Sequence, residues 1–317
     1  MKQKTTLSQS IDATEQKAKY DEACKKLLAE KIILAWIMKH TMREFVDYDV
    51  KEIVDRFIVG EPKVAEVSVL PDETNAPKVA GIGIEDSSLT EGTVTYDIQF
   101  QAIVPSAKEV VQMIINVEAQ NDFYPGYPII KRGIYYCARM ISSQYGTVFT
   151  QSHYEKIKKV YSVWICMNPP KVRNNTITQY AIQEENIWGD VNEKKEYYDL
   201  INAVMICLGT EDDSTEHELL RLLDVLLSSD KKAVEKKEIL ESEFNIPMTE
   251  KIEEEVEEMC NLSDGVENKG IQKGIKQGTL STLCELVLDN LLDVKEAAKR
   301  LDVTVEEFQT ELDKYKK

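Results

Sequence analysis

Two stretches near the middle of the chain alternate polar and apolar residues with a period of two, and this alternation constrains the fold more than any other feature. In 92–104, Val94, Tyr96, Ile98, Phe100 and Ala102 alternate with Thr93, Thr95, Asp97, Gln99 and Gln101. In 112–122, Asn116, Glu118 and Gln120 share one parity while Ile115, Val117 and Ala119 share the other. Successive side chains of an extended chain point to opposite faces, so each stretch reads as a strand with one apolar and one polar face. Asp97 then projects from the polar face of one strand, and Glu118 and Gln120 from that of the next.

The flanking segments extend the pattern. Apolar positions such as Ala23, Leu27, Ile33 and Ile37 recur at helical spacing and predict one long first helix through Phe45, after a flexible polar tail over 1–15. A short helix is expected from Val50 to Phe57, and a strand around Val64–Leu70 inside a loop-rich region. Pro128 suits the first residue of a helix running to Ile141, because its missing N–H costs nothing in the first turn. Segment 158–168 is β-branched and aromatic enough for a buried strand, with 176–183 as its neighbour. From about Glu211 the composition shifts to charged amphipathic helices, clearest in 217–229 and 251–262. The expected organisation is a domain over 16–210, an amphipathic helical region over 211–265, and over 266–317 a glycine-repeat connector with terminal helices. Trp36, Trp164 and Trp188 are expected in the core or in packing contacts.

The net charge of −17 disfavours a nucleic-acid partner only if it is evenly spread, and it is not. Residues 1–120 carry 14 basic and 20 acidic groups, 121–183 carry 8 and 2, and 184–317 carry 17 and 34. The basic surplus, including Lys131, Arg132, Arg139, Lys159, Lys171 and Arg173, follows directly on the acid-bearing strands. It fits a phosphate-binding face or an ordinary solvated one. The six cysteines lack CxxC spacing and the three histidines are not clustered with them, which argues against a zinc site and a disulfide framework. The apolar run 32–38 is far shorter than a bilayer span and the first residues have no apolar signal stretch, so a cytoplasmic protein without membrane contact is expected.

Carboxylates presented from adjacent strands on one sheet face are a rigid seat for a hard divalent cation such as Mg²⁺ or Mn²⁺. Such an ion polarises a phosphate and lowers the pKa of bound water. Asp97 and Glu118 are the candidate ligands, with the carbonyl of Ala119 as a third. The same pattern also fits a solvated polar strand face.

The segments 96–100, 114–146 and 153–168, containing YDIQF, IINVEAQNDFYPGYPIIKRGIYYCARMISSQYG and HYEKIKKVYSVWICMN, resemble the bacterial PD-(D/E)xK nuclease family transposases, relatives of the recombination-promoting nucleases. The likeness runs from Tyr20 to Gln183, and the helical C-terminal part with its glycine repeat is also similar. It implies an α/β restriction-endonuclease-like core, a mixed β-sheet flanked by helices, followed by an all-helical C-terminal region. It further implies Mg²⁺-dependent cleavage of DNA linked to mobile elements or recombination. By position, Asp97 stands at the first acid of the motif, Glu118 at the second and Gln120 in the slot that many members fill with lysine. Glutamine carries no charge, so it orients water or phosphate through hydrogen bonds alone. Arg132 and Tyr136, at i and i+4, are similar to a pair on the helix after the active-site strand, with Arg132 gripping phosphate and Tyr136 bracing it, and equally fit a surface arginine packed on a core tyrosine; Lys131 and Arg139, from the basic surplus on the same helix, are further nucleic-acid candidates. The superfamily often adds an acid from the first helix, for which Asp21 and Glu30 are candidates, and Glu91, which shares strand parity with Asp97, is another.

Other features carry less. Residues 296–309 look like a helix-turn-helix with a Thr304/Glu307 capping box, but the acids of the last helix would repel phosphates and point to a structural or protein contact. Gly270, Gly274 and Gly278 fit close helix packing in a homodimer, a hinge or a flexible connector. The rival reading of the whole chain is a catalytically idle nuclease fold that binds nucleic acid or protein, motivated by Gln120 and by the acidity outside 121–183.

Overall fold

The stretch VYSVWICMN is apolar on both parities, and a strand of that kind is stable only where both faces are covered. In the computed structural model it forms β6 (Val160–Asn168), buried from Val160 to Cys166, in the interior of a six-stranded mixed sheet. The structure describes residues 18–64, 85–88, 92–95, 97–105, 112–209, 216–228, 231–289, 291–301 and 303–315. They divide into two compact units, one within 18–260 and one within 261–317.

The first unit opens with α1 over 18–28, α2 (Lys31–Thr41) and α3 (Val50–Arg56). The single long helix expected from the periodicity is two helices. Glu30 takes an extended conformation, and its carbonyl accepts the N–H groups of Ile33 and Leu34 to start α2. Asp49 caps α3 by accepting the Glu52 N–H at 2.8 Å. There follow β1 (Ile58–Val64), the two-stranded β2 (Glu85–Ser88) and β3 (Gly92–Thr95), β4 (Ile98–Ile103), β5 (Gln112–Asp122) and α4 (Ile129–Ser142). After β6 come β7 (Thr176–Ala181) and β8 (Ile201–Cys207), then α5 (Glu218–Leu227), α6 (Ala233–Phe244) and the start of α7 (Glu250–Leu288).

Three further sequence expectations are corrected. The stretch 92–104 is not one strand, because a bend at Asp97 separates β3 from β4. Pro128 stands at the cap of α4 and not in its first turn. The strand expected around Val64–Leu70 lies outside the described residues beyond Val64, the last residue of β1. β7 is not the neighbour of β6, since β8 inserts between them.

The strand order is β1-β4-β5-β6-β8-β7, with β5, β6 and β8 parallel and the remaining neighbours antiparallel. One face carries α4, whose Ile129, Tyr136, Cys137 and Met140 pack with Trp164, Cys166, Met205 and Cys207. On the other face Tyr161 is fully buried and its hydroxyl donates to Glu44, just beyond α2, at 2.8 Å. Lys236 of α6 is also fully buried and donates to the carbonyls of Leu226 and Ser228 at 2.9 and 2.6 Å. Its cation thus satisfies the C-terminal carbonyls of α5.

In the second unit the rest of α7, α8 (Val294–Arg300) and α9 (Val305–Tyr315) bury a core of Leu283, Cys284, Ala297, Ala298, Phe308 and Leu312. The glycine repeat lies within the continuous helical backbone of α7. Thr304 and Glu307 form the expected reciprocal cap, with backbone-to-side-chain bonds of 2.9 and 3.2 Å. Among the described residues no helix is long and apolar enough to cross a membrane.

Candidate functional site

The register of β4 on β5 brings the two acids together. Ile98 pairs with Val117, so Asp97 and Glu118 arrive side by side across the antiparallel pair. The Asp97 N–H donates to Glu118 Oε1 at 3.0 Å. Glu118 is only 4% exposed, and a carboxylate so placed keeps its charge only with hydrogen bonds and counter-charge around it. The bend at Asp97 frees its N–H from the sheet ladder for this bond.

Counter-charge comes from two helices. Lys25 of α1 places Nζ 2.7 Å from Asp97 Oδ1, with the two side chains 10% and 18% exposed. From α4, Arg132 donates through Nε and Nη2 to the Tyr136 hydroxyl at 3.1 and 2.6 Å. Its guanidinium lies 5.0 Å above the Tyr136 ring and 5.3 Å above the Trp164 ring. Trp164 is the register partner of Glu118 on β6 and donates its indole N–H to Ser162 Oγ at 2.9 Å. Burial, and after it the Glu118 charge, pushes the Tyr136 phenol up to about 12, so it keeps its proton at neutral pH. Burial alone would weaken the Arg132 cation, but Tyr136 and Glu118 outweigh it and raise its pKa.

The expected residues fall into distinct places. Asp97, Glu118, Arg132 and Tyr136 belong to one constellation. Lys131 is exposed on α4, whereas Arg139 is 3% exposed and lies within the protein. Lys159 is held by Glu44 and Asp199 at 2.6 and 2.8 Å. Ala119 is half-buried on β5, and the side chain of Gln120, whose backbone stands opposite Cys166, lies outside the described residues, as does Glu91. Asp21 is half-buried on α1, one turn before Lys25.

Glu30 sits elsewhere, in a cleft of about 870 Å³ shared with Lys251, to which it is ion-paired, and Glu255. One Glu255 oxygen is buried without a hydrogen-bond partner among the described residues, and burial followed by the Glu30 charge raises this carboxyl to about 7.

Sequence reasoning missed two polar groups. Lys25 interrupts the buried stripe of Ala23, Cys24, Leu27 and Leu28, and a charge inside an apolar helix face was the available signal. Gln99, two residues beyond Asp97, is 4% exposed, and its side-chain oxygen has no hydrogen-bond partner among the described residues.

Chemically, the pair offers hard carboxylate oxygens beside a protonated phenol and two cations. A Mg²⁺ ion, which keeps several waters and takes one or two carboxylates, suits such a donor set. Among the described residues no group of three or more His, Cys, Asp or Glu side chains is placed to hold a metal ion. No family model, no curated protein and no solved structure matches this chain.

Proposed function

We propose that the protein is a divalent-metal-dependent endonuclease acting on DNA, built on a restriction-endonuclease-like core of the PD-(D/E)xK type. The observation that carries this reading is the meeting of Asp97 and Glu118, joined by a 3.0 Å bond from a backbone N–H to a nearly buried carboxylate. Further support comes from the order of the elements of the six-stranded sheet around them, helices followed by β1, β4, β5, α4 and β6 with the separate β2–β3 pair inserted after β1, and from the resemblance of 96–168 to that family.

In this reading Asp97 and Glu118, with the Ala119 carbonyl, hold Mg²⁺ or Mn²⁺. The bound ion supplies Lewis acidity toward the phosphate and an activated water. Arg132, fixed by Tyr136 and stacked on Trp164, grips a phosphate oxygen with Lys131 beside it. Gln120 orients phosphate or water by hydrogen bonding, and the Lys25 ammonium is the positive group that glutamine cannot be. The setting implied by the resemblance is mobile-element or recombination-linked cleavage in bacterial cytoplasm.

A second reading rests on the Lys25–Asp97 pair itself. An ammonium 2.7 Å from Asp97 already neutralises one of the two carboxylates, as suits an idle fold that only binds nucleic acid or protein. Cleavage of supercoiled plasmid with Mg²⁺, Mn²⁺ or EDTA, by the wild type and by Asp97→Ala and Glu118→Ala, separates the two. Metal-dependent nicking lost in both variants supports the nuclease. Cleavage that survives both, or none by the wild type, refutes it.

A further inference from the structure

The two edges of the six-stranded sheet are built differently. An edge strand presents unpaired backbone groups to any passing strand, and proteins blunt such edges with charges, proline or bulges. β1 has all three: Glu61 and Lys63, Pro62, and a register break between Val59 and Lys63 next to Gly60 at φ +67°. β7, at the opposite edge, reads Thr-Ile-Thr-Gln-Tyr-Ala, with no charge, no proline and no break in its register with β8.

The same unblunted edge continues into an exposed apolar arm. Between β7 and β8 the chain runs out through Ile182, Ile187, Trp188 and Val191, with Ile187 and Trp188 each 96% exposed. Trp188 is thus not the packing residue expected from the sequence. The arm is a shaped loop: Glu184 accepts the Glu193 N–H at 3.1 Å, Asn186 accepts the Val191 N–H at 3.4 Å, and Gly189 turns the tip at φ +83°. Residues 182–193 hold four acids and no Lys or Arg. Just before β7 stands the opposite character, the turn Lys171–Arg173 with Val172 88% exposed.

An antiparallel pairing of β7 with a second β7 about a two-fold axis sets these two ends against each other. With Gln179 facing Gln179 of the partner subunit, Ile177 faces the partner's Ala181, and the chain leaving each strand runs beside the turn that enters the other. Acidic arm meets basic turn, and Ile187, Trp188 and Val191 meet Val172, twice over by symmetry. We propose that the protein associates with a second copy of itself through antiparallel β7–β7 pairing, each 182–193 arm seated on the other copy's Lys171–Arg173 turn. A peptide from another protein could add to the same edge, but nothing in such a strand would select the acidic arm and basic turn together.

The test uses the full chain in sedimentation velocity from 1 to 100 µM, with hydrogen exchange read at the low and high ends. The wild type is expected to dimerise, and the amides of 176–182 to gain protection with concentration. The double variant Ile187→Asp/Trp188→Asp should weaken the dimer by about 30-fold or more, the usual scale for losing an anchoring tryptophan. Lys171→Glu should weaken it and Glu185→Lys on that background should restore it. A wild type that stays monomeric at 100 µM, a dimer indifferent to the arm variants, or concentration-dependent protection that appears only in 261–317 would each overturn the proposal. The exchange measurement needs no variant and decides the matter even if one of them misfolds.

Discussion

Replacing Lys25 by methionine keeps most of the apolar stem and removes the ammonium 2.7 Å from Asp97 Oδ1. In the proposed nuclease that ammonium and the metal compete for one carboxylate. A Mg²⁺ or Mn²⁺ ion about 2.1 Å from the same oxygen would lie within about 5 Å of Nζ unless the lysine retreats. At that distance a single charge against a double one costs about 2 kcal/mol in bulk water and about 7 kcal/mol at the effective dielectric constant of about 20 typical near a protein surface. Asp97 is 18% exposed and the lysine stem is flexible, so the lower figure applies, and 2 kcal/mol is about 30-fold in affinity. Calorimetric titration of metal-free protein with Mn²⁺ should therefore show Lys25→Met binding about 30-fold more tightly than wild type, while plasmid cleavage by the same variant falls. Mn²⁺ affinity within threefold of wild type would mean that the ammonium and the ion do not share Asp97, and the assignment of Asp97 as a ligand would fail.

Two further predictions concern stability. The folded state holds the Glu255 proton up to about pH 7 against an ordinary 4.5, so the stability linked to this group is full below 4.5 and declines as pH rises through that window, by at most about 3 kcal/mol. Thermal melts at pH 5 and pH 8 should show Glu255→Gln losing less between the two than wild type, and parallel losses would disprove the linkage. A Cβ added at Gly133 would sit 3.0 Å from both Met205 Cε and Trp164 Nε1, so Gly133→Ala should cost about 1–3 kcal/mol in urea unfolding despite alanine's better helix propensity. An unchanged or raised midpoint would show that Met205 and Trp164 yield freely.

What was legible in the sequence was what local periodicity encodes. β5 spans Gln112–Asp122, the stretch whose parity groups Glu118 with Gln120, and the i, i+4 spacing of Arg132 and Tyr136 becomes a direct hydrogen bond. The break at Glu30 carried no proline or glycine to announce it. β8 was missed because its run INAVMIC is buried on both faces and lacks alternation, and its insertion between β6 and β7 depends on pairing between distant segments. Lys25 belongs to the same class: its helical position was readable, but its contact with Asp97 spans 72 residues of sequence and exists only once α1 packs. Trp188 was misjudged because an exposed tryptophan and a core one look alike until the surrounding loop is placed.

The strand order also bears on how the two proposals combine. Glu118 on β5 is separated from β7 by β6 and β8, so pairing at the β7 edge would leave Glu118, and Asp97 just before β4, in the interior of a continuous twelve-stranded sheet, well away from the new contact. From β5 of one copy to β5 of the other there are seven strand spacings, about 34 Å at about 4.8 Å each before twist shortens the path. That distance is close to one helical turn of B-form DNA, about 34–36 Å. A β7-paired dimer would therefore offer two acid pairs, related by a two-fold axis, at a spacing that a single duplex can reach on one side.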